Sequence, residues 1–181
     1  MASNNQTRHD FTLGFLTVLD VEGFGACGGL LVVNPIGRPI EFHCTAPVSV
    51  NRTQEILYGK SLQSYLYCDQ IGETLIEKAK TKIDLVVTDK ASLIDLEVGP
   101  DQTLILLVDK SEVDESPAKL FNASKVKIRS ESAFVSYAFR STQEATERAS
   151  AFLNQFNETL PLDEPFERIE QAIDEAQAVA R

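Results

Sequence analysis

An α/β domain with a mixed sheet is the fold class that this sequence predicts, in the element order β-β-β-α-β-(α)-β with further helices at the C-terminal end. Three observations predict it. Residues 11–19 are almost unbroken apolar sequence, with Thr12 and Thr17 as the only polar breaks, as suits a central strand covered on both faces. Residues 39–45 instead alternate, with Ile40, Phe42 and Cys44 on one side and Glu41, His43 and Thr45 on the other. Apolar residues at helical spacing recur from 51 to 80 and from 142 to 180. At 181 residues the chain suits one domain with a sizeable core. Residues 11–181 are therefore expected as one unit with a helical extension over 142–181, and the polar residues 1–10 as a frayed, disordered tail.

The first run ends at Asp20. A glycine-dense connection, 23–29, leads to a second apolar run at 30–33, and Asn34-Pro35-Ile36-Gly37 has turn chemistry. Three strands joined by short links read as an antiparallel meander. Pro47 closes the third. Asn51 is a helix N-cap, and Gln54 three residues later completes a capping-box pattern. Helical periodicity then passes through Ile56, Leu62, Leu66, Ile71, Leu75 and Ala79, with Gly59 and Gly72 as candidate breaks. Residues 83–88 form a short β-branched strand ending at Asp89. Residues 91–96 suit either a short helix or an edge strand, 103–108 form another strand, and 110–123 read as a surface loop. Residues 125–129 and 133–139 look like strands and 142–157 like a helix. Asp163 is placed to cap a last helix, 165–180, with a Phe166, Ile169 and Ile173 stripe.

Composition excludes several classes. No apolar stretch approaches the roughly 20 residues that a membrane span needs, so no membrane association is expected. Three cysteines, widely spaced and with no C-x-x-C pair, argue for a reducing, cytoplasmic setting. Net charge is −10 and there is no strong basic cluster, which counts against autonomous nucleic-acid binding but leaves a protein partner plausible.

Two local patterns carry little chemistry. Gly23-x-Gly25-x-x-Gly28 has dinucleotide-fingerprint spacing, but a strand follows where a helix N-terminus would have to meet the pyrophosphate. His43 and Cys44 are adjacent on a strand and point to opposite faces, so they form no nucleophile–base pair, and the cysteines show no zinc-ligand spacing.

Three acids fall at positions that topology would bring together. Asp20 ends the first strand, Glu55 sits in the first turn of the helix after the meander, and Asp89 ends the fourth strand. If strands one and four are parallel neighbours, two aspartates adjoin beneath a helical glutamate. Such a cluster repels itself unless divalent cations neutralise it, and two Mg²⁺ or Mn²⁺ ions so held would drive phosphodiester hydrolysis. Strand ends and first helical turns also attract acids through turn chemistry and the helix dipole, so unrelated solvated carboxylates are the competing reading.

Residues 12–96, through Leu16-Thr17-Val18-Leu19-Asp20, Asn51-Arg52-Thr53-Gln54-Glu55 and Leu85-Val86-Val87-Thr88-Asp89, resemble the ribonuclease H-like superfamily. In that family an acid of the first strand precedes a glycine-rich hairpin, a glutamate opens the first helix and an aspartate closes the fourth strand. The resemblance implies a divalent-metal-dependent phosphodiester hydrolase, or an inactive relative. Asp20, Glu55 and Asp89 would be catalytic metal ligands, Glu144 or Glu147 on the later helix a fourth ligand, and nucleic acid a partner. The segment 29–40 also resembles the central hairpin of profilin- or roadblock-like α/β sandwiches, which implies a non-enzymatic interaction or adaptor module acting as a subunit of a complex.

Overall fold

A computed structural model describes residues 11–112, 123–128 and 133–179. The meander forms as its sequence predicts. Strand β1 (Leu13–Val21) pairs antiparallel with β2 (Gly25–Val33), and β2 with β3 (Pro39–Cys44). Two helices follow: α1 (Arg52–Tyr58) and α2, which runs over 62–78. Next come β4 (Leu85–Thr88), β5 (Thr103–Asp109), β6 (Ser124–Val126) and β7 (Phe134–Phe139), then α3 (Gln143–Asn157) and α4 (Glu164–Val179).

Seven strands make one sheet in the order β3-β2-β1-β4-β5-β7-β6. The decisive pairing is β1 with β4, which are parallel neighbours in the register Leu13 to Leu85 through Leu16 to Thr88. Strand β5 continues the parallel centre, and β7 and β6 add an antiparallel edge. The order 3-2-1-4-5 thus comes out as the β-β-β-α-β reading requires.

Each face of the sheet has its own helical layer. On one face Tyr67, Ile71 and Leu75 of α2 pack over Leu16, Val18, Leu30 and Val86. On the other, Leu153 and Phe156 of α3 and Phe166, Ile169 and Ile173 of α4 cover Leu13, Phe15, Leu31 and Val87. Phe15 anchors this second layer, with its ring 5.3 Å from Phe156 and 5.4 Å edge-on from Phe166.

The glycines expected in a connection lie mostly inside β2, which begins at Gly25. Gly28 and Gly29 point to opposite faces. A Cβ on Gly28 would stand 2.1 Å from Ile71 Cγ2 of α2, and one on Gly29 2.3 Å from Ile169 Cγ2 of α4. Their lack of a side chain is what lets both helical layers reach the sheet.

The Asn51 capping box forms, with Asn51 Oδ1 accepting from Gln54 N at 2.9 Å and Gln54 Oε1 from Asn51 N at 3.0 Å. Of the two candidate breaks, Gly59 is the real one, at φ 50°. The helix runs through Gly72, and its Tyr65–Gly72 stretch is π-helical. Helix α1 buries none of its residues, and Ile56 and Leu57 are 66% and 77% exposed. Residues 91–96 hold a single 3₁₀ turn, Ala91–Leu93, and 110–123 begin with another, Lys110–Glu112. Residues 1–10 lie outside the described residues. No helix among the described residues is long and apolar enough to cross a membrane.

Candidate functional site

Register decides what stands at the centre of the sheet. Continuing the β1–β4 pairing past Leu16 and Thr88 brings Thr17, not Asp20, abreast of Asp89. The Thr17 hydroxyl donates to Asp89 Oδ1 at 2.6 Å. The other carboxylate oxygen, Oδ2, is 3.1 Å from the ammonium of Lys90. Thr17 is wholly buried, while the Asp89 side chain keeps 28% of its exposure. Both oxygens of the acid at the end of β4 are therefore engaged by donors from the chain itself.

Asp20 lies three residues beyond Thr17, about 10 Å along the strand at 3.3 Å per residue. An odd separation also reverses the face. Asp20 points to the α2 side, where the Tyr67 hydroxyl donates to its Oδ1 at 2.8 Å. Burial first, and then the neighbouring Asp20 carboxylate, push the Tyr67 phenol up to about 12. Tyr67 therefore stays a hydrogen-bond donor at any ordinary pH.

Glu55 goes elsewhere again. It sits on exposed α1 and pairs with Arg52 Nη1 at 2.9 Å, a surface pair within one helical turn. Glu144 and Glu147 open α3 over the far edge of the sheet. Glu147 accepts from Gln143 and lines a surface groove with Ser124, Lys125 and Lys127 of the β6 strand and its flank. Three strand spacings separate β6 from β4. Asp20, Glu55 and Glu147 thus each bond a different partner, Tyr67, Arg52 and Gln143, and Glu144 stands in the first turn of α3. Among the described residues no three His, Cys, Asp or Glu side chains gather closely enough to hold a metal ion. The donor set does not fit the Mg²⁺ or Mn²⁺ pair that clustered acids would require.

Two of the three thiols are tuned away from reactivity. Burial raises Cys27 and Cys68 above their ordinary value, away from the reactive thiolate. His43 is engaged by Glu41, its Nε2 2.5 Å from Oε1. Glu41 also accepts from the backbone N–H groups of Lys80 and Thr81, each at 2.9 Å, and the three donors hold its carboxyl down at about 2.

Comparison with solved structures places the architecture. The chain superposes on a variant of Ciona intestinalis endonuclease V, in complex with a 23mer DNA containing an inosine followed by a ribo-adenosine, with a TM-score of 0.54. The match covers 96% of this chain and 88% of that one at 10% identity. The fold is ribonuclease H-like. Human endonuclease V is also matched, over 95% of this chain and 87% of its own, at 12% identity and a TM-score of 0.43. No protein-family model matches the chain, and no curated protein matches it in sequence.

Thr17, Tyr67 and Lys90 are the side chains that sequence reasoning passed over. A signal existed for Thr17 alone: a hydroxyl interrupting the apolar run of a central strand has to find a partner.

Proposed function

We propose that this chain is a catalytically silent ribonuclease H-like domain, acting as a binding module and not as a metal-dependent phosphodiester hydrolase. One observation carries the reading: the position of β1 abreast of Asp89 holds a threonine, whose hydroxyl, together with the Lys90 ammonium, occupies the carboxylate. A divalent ion seated there would meet one available acid and a neighbouring cation, whereas phosphodiester hydrolysis by two ions needs several shared carboxylates.

The likeness to endonuclease V supports a descent of this shape from phosphodiester chemistry and favours nucleic acid as the ligand to test first. The net charge of −10 works against that ligand, because phosphate neutralisation supplies much of such affinity. The exposed Ile56 and Leu57 on α1 favour a protein partner.

The test uses inosine-containing DNA with Mn²⁺ and with Mg²⁺. Wild-type protein is expected to leave the strand intact over hours at micromolar concentration and to cause no gel shift. Cleavage by wild type that disappears in Asp89→Asn would overturn the proposal.

A further inference from the structure

A cleft of about 240 Å³ opens at the N-terminal end of β5, whereas Asp89 follows the C-terminal end of β4. Its walls are largely apolar. Ile94 and Leu96 come from the segment between β4 and β5, and Leu104 and Phe139 are partners in the β5–β7 pair. Two side chains of opposite charge line the same cleft, Glu97 and Arg140. Glu97 is exposed and makes no ion pair among the described residues. Arg140 has only a loose one: its Nη2 stands 3.7 Å from Asp95 Oδ1, beyond hydrogen-bonding range, and both side chains are more than half exposed. A pair of this kind contributes little. The Arg140 backbone is also unusual. Among the described residues it is the only one besides glycine with a positive φ, at 50°. A long side chain gains nothing from that region, and residues held there concentrate at binding sites.

We propose that this cleft binds a free apolar α-amino acid, its carboxylate on Arg140, its ammonium on Glu97 and its side chain against the apolar walls. Charge sets the head group. A guanidinium takes a carboxylate in two parallel bonds, and a carboxylate takes an ammonium. A plain acid would leave Glu97 as a like charge beside it, and a plain amine would face Arg140 in the same way. A zwitterion satisfies both, which no singly charged ligand does. Size sets the rest. At roughly 30 Å³ per water, 240 Å³ holds about eight water-sized groups, close to the heavy-atom count of leucine or isoleucine. A nucleotide or a long acyl chain is too large. Apolar walls with a few convergent polar groups are the usual make-up of a small-molecule site.

This inference is independent of the reading of Asp89 and Thr17. Chemical-shift titration of the full chain with L-leucine tests it, with the methyl groups of Ile94, Leu96 and Leu104 as reporters. Wild type is expected to saturate with a Kd of about 1 mM or tighter, as suits a ligand of about nine non-hydrogen atoms. Isocaproate, which lacks the ammonium, and isoamylamine, which lacks the carboxylate, are each expected to bind at least about tenfold more weakly. Arg140→Gln and Glu97→Gln, both changes at exposed sites that leave the melting temperature in place, are expected to weaken L-leucine by about the same factor. The comparison of the three ligands is made on wild type, so it decides the matter even where a variant fails to fold. No saturation by about 20 mM L-leucine, an analogue that binds as tightly as L-leucine, or an affinity left unchanged by Arg140→Gln would overturn the proposal.

Discussion

The Thr17 hydroxyl and the Asp89 carboxylate meet at 2.6 Å across the two parallel strands at the centre of the sheet. This bond fixes the character of the site, because it spends an oxygen of Asp89 on the fold itself. A buried hydroxyl donating to a carboxylate contributes about 1–2 kcal/mol. Thr17→Val keeps the shape and removes the donor, so it is expected to lower unfolding free energy by about that amount in urea titrations. An unchanged midpoint would show that the bond does nothing for stability.

The Asp20–Tyr67 pair gives a spectroscopic prediction. The Tyr67 phenol is held up at about 12 by burial and, second, by Asp20. In an ultraviolet titration of phenolate absorbance, Tyr67→Phe is expected to remove the highest-pH component. Asp20→Asn is expected to move that component downward, though burial keeps it above the ordinary value of 10. A titration left unmoved by Asp20→Asn would contradict the pairing.

Glu41 ties the segment after α2 to the edge strand, and its pH dependence has a definite sign. Its carboxyl is lowered from 4.5 to about 2 by the Lys80 N–H, the His43 ring and the Thr81 N–H. A group with a depressed folded value stabilises the native state above its unfolded value and loses that contribution as pH falls through the folded one. Glu41→Gln is therefore expected to flatten the loss of stability between about pH 4.5 and pH 2 that wild type shows. Hydrogen exchange at the Lys80 and Thr81 amides should quicken in the same variant at neutral pH.

Gly28 and Gly29 set the spacing of both helical layers. Gly29→Ala would drive a methyl into Ile169 Cγ2, and overpacking of this kind costs about 1–3 kcal/mol. In a double-mutant cycle with Ile169→Ala the penalty is expected to shrink, since the second change removes the atom that is struck. Additive effects would mean that the helix does not rest on this glycine.

Much of the fold was legible in the chain because a few residues carry strong local signals. The unbroken apolar run of β1 and the β-branched run of β4 mark strands buried on both faces, and such strands sit at the centre of a parallel pair. Asn51 and Gln54 named the start of α1. The π-helical stretch from Tyr65 to Gly72 was not legible, because its extra residue per turn answers packing over the sheet and not local propensity. The arrangement around Asp89 differs from the sequence expectation for a specific reason. The end of β1 was taken from its first acid, Asp20, but what adjoins Asp89 depends on register, and register is set by long-range pairing that no single strand encodes. Glu55 has the right helix and the wrong exposure. Glu144 and Glu147 have the right chemistry on a helix that begins at the other edge of the sheet.

Thermal melting with and without Mn²⁺ is the most direct measurement of the central claim, since an ion bound only by the native state raises the melting temperature. Wild type is expected to show no shift at millimolar Mn²⁺. Thr17→Asp, which sets a second carboxylate beside Asp89, is expected to melt lower without metal and to recover with it, and adding Asp89→Asn should abolish that recovery. A wild-type melting temperature that rises with Mn²⁺ and loses the rise in Asp89→Asn would contradict the account.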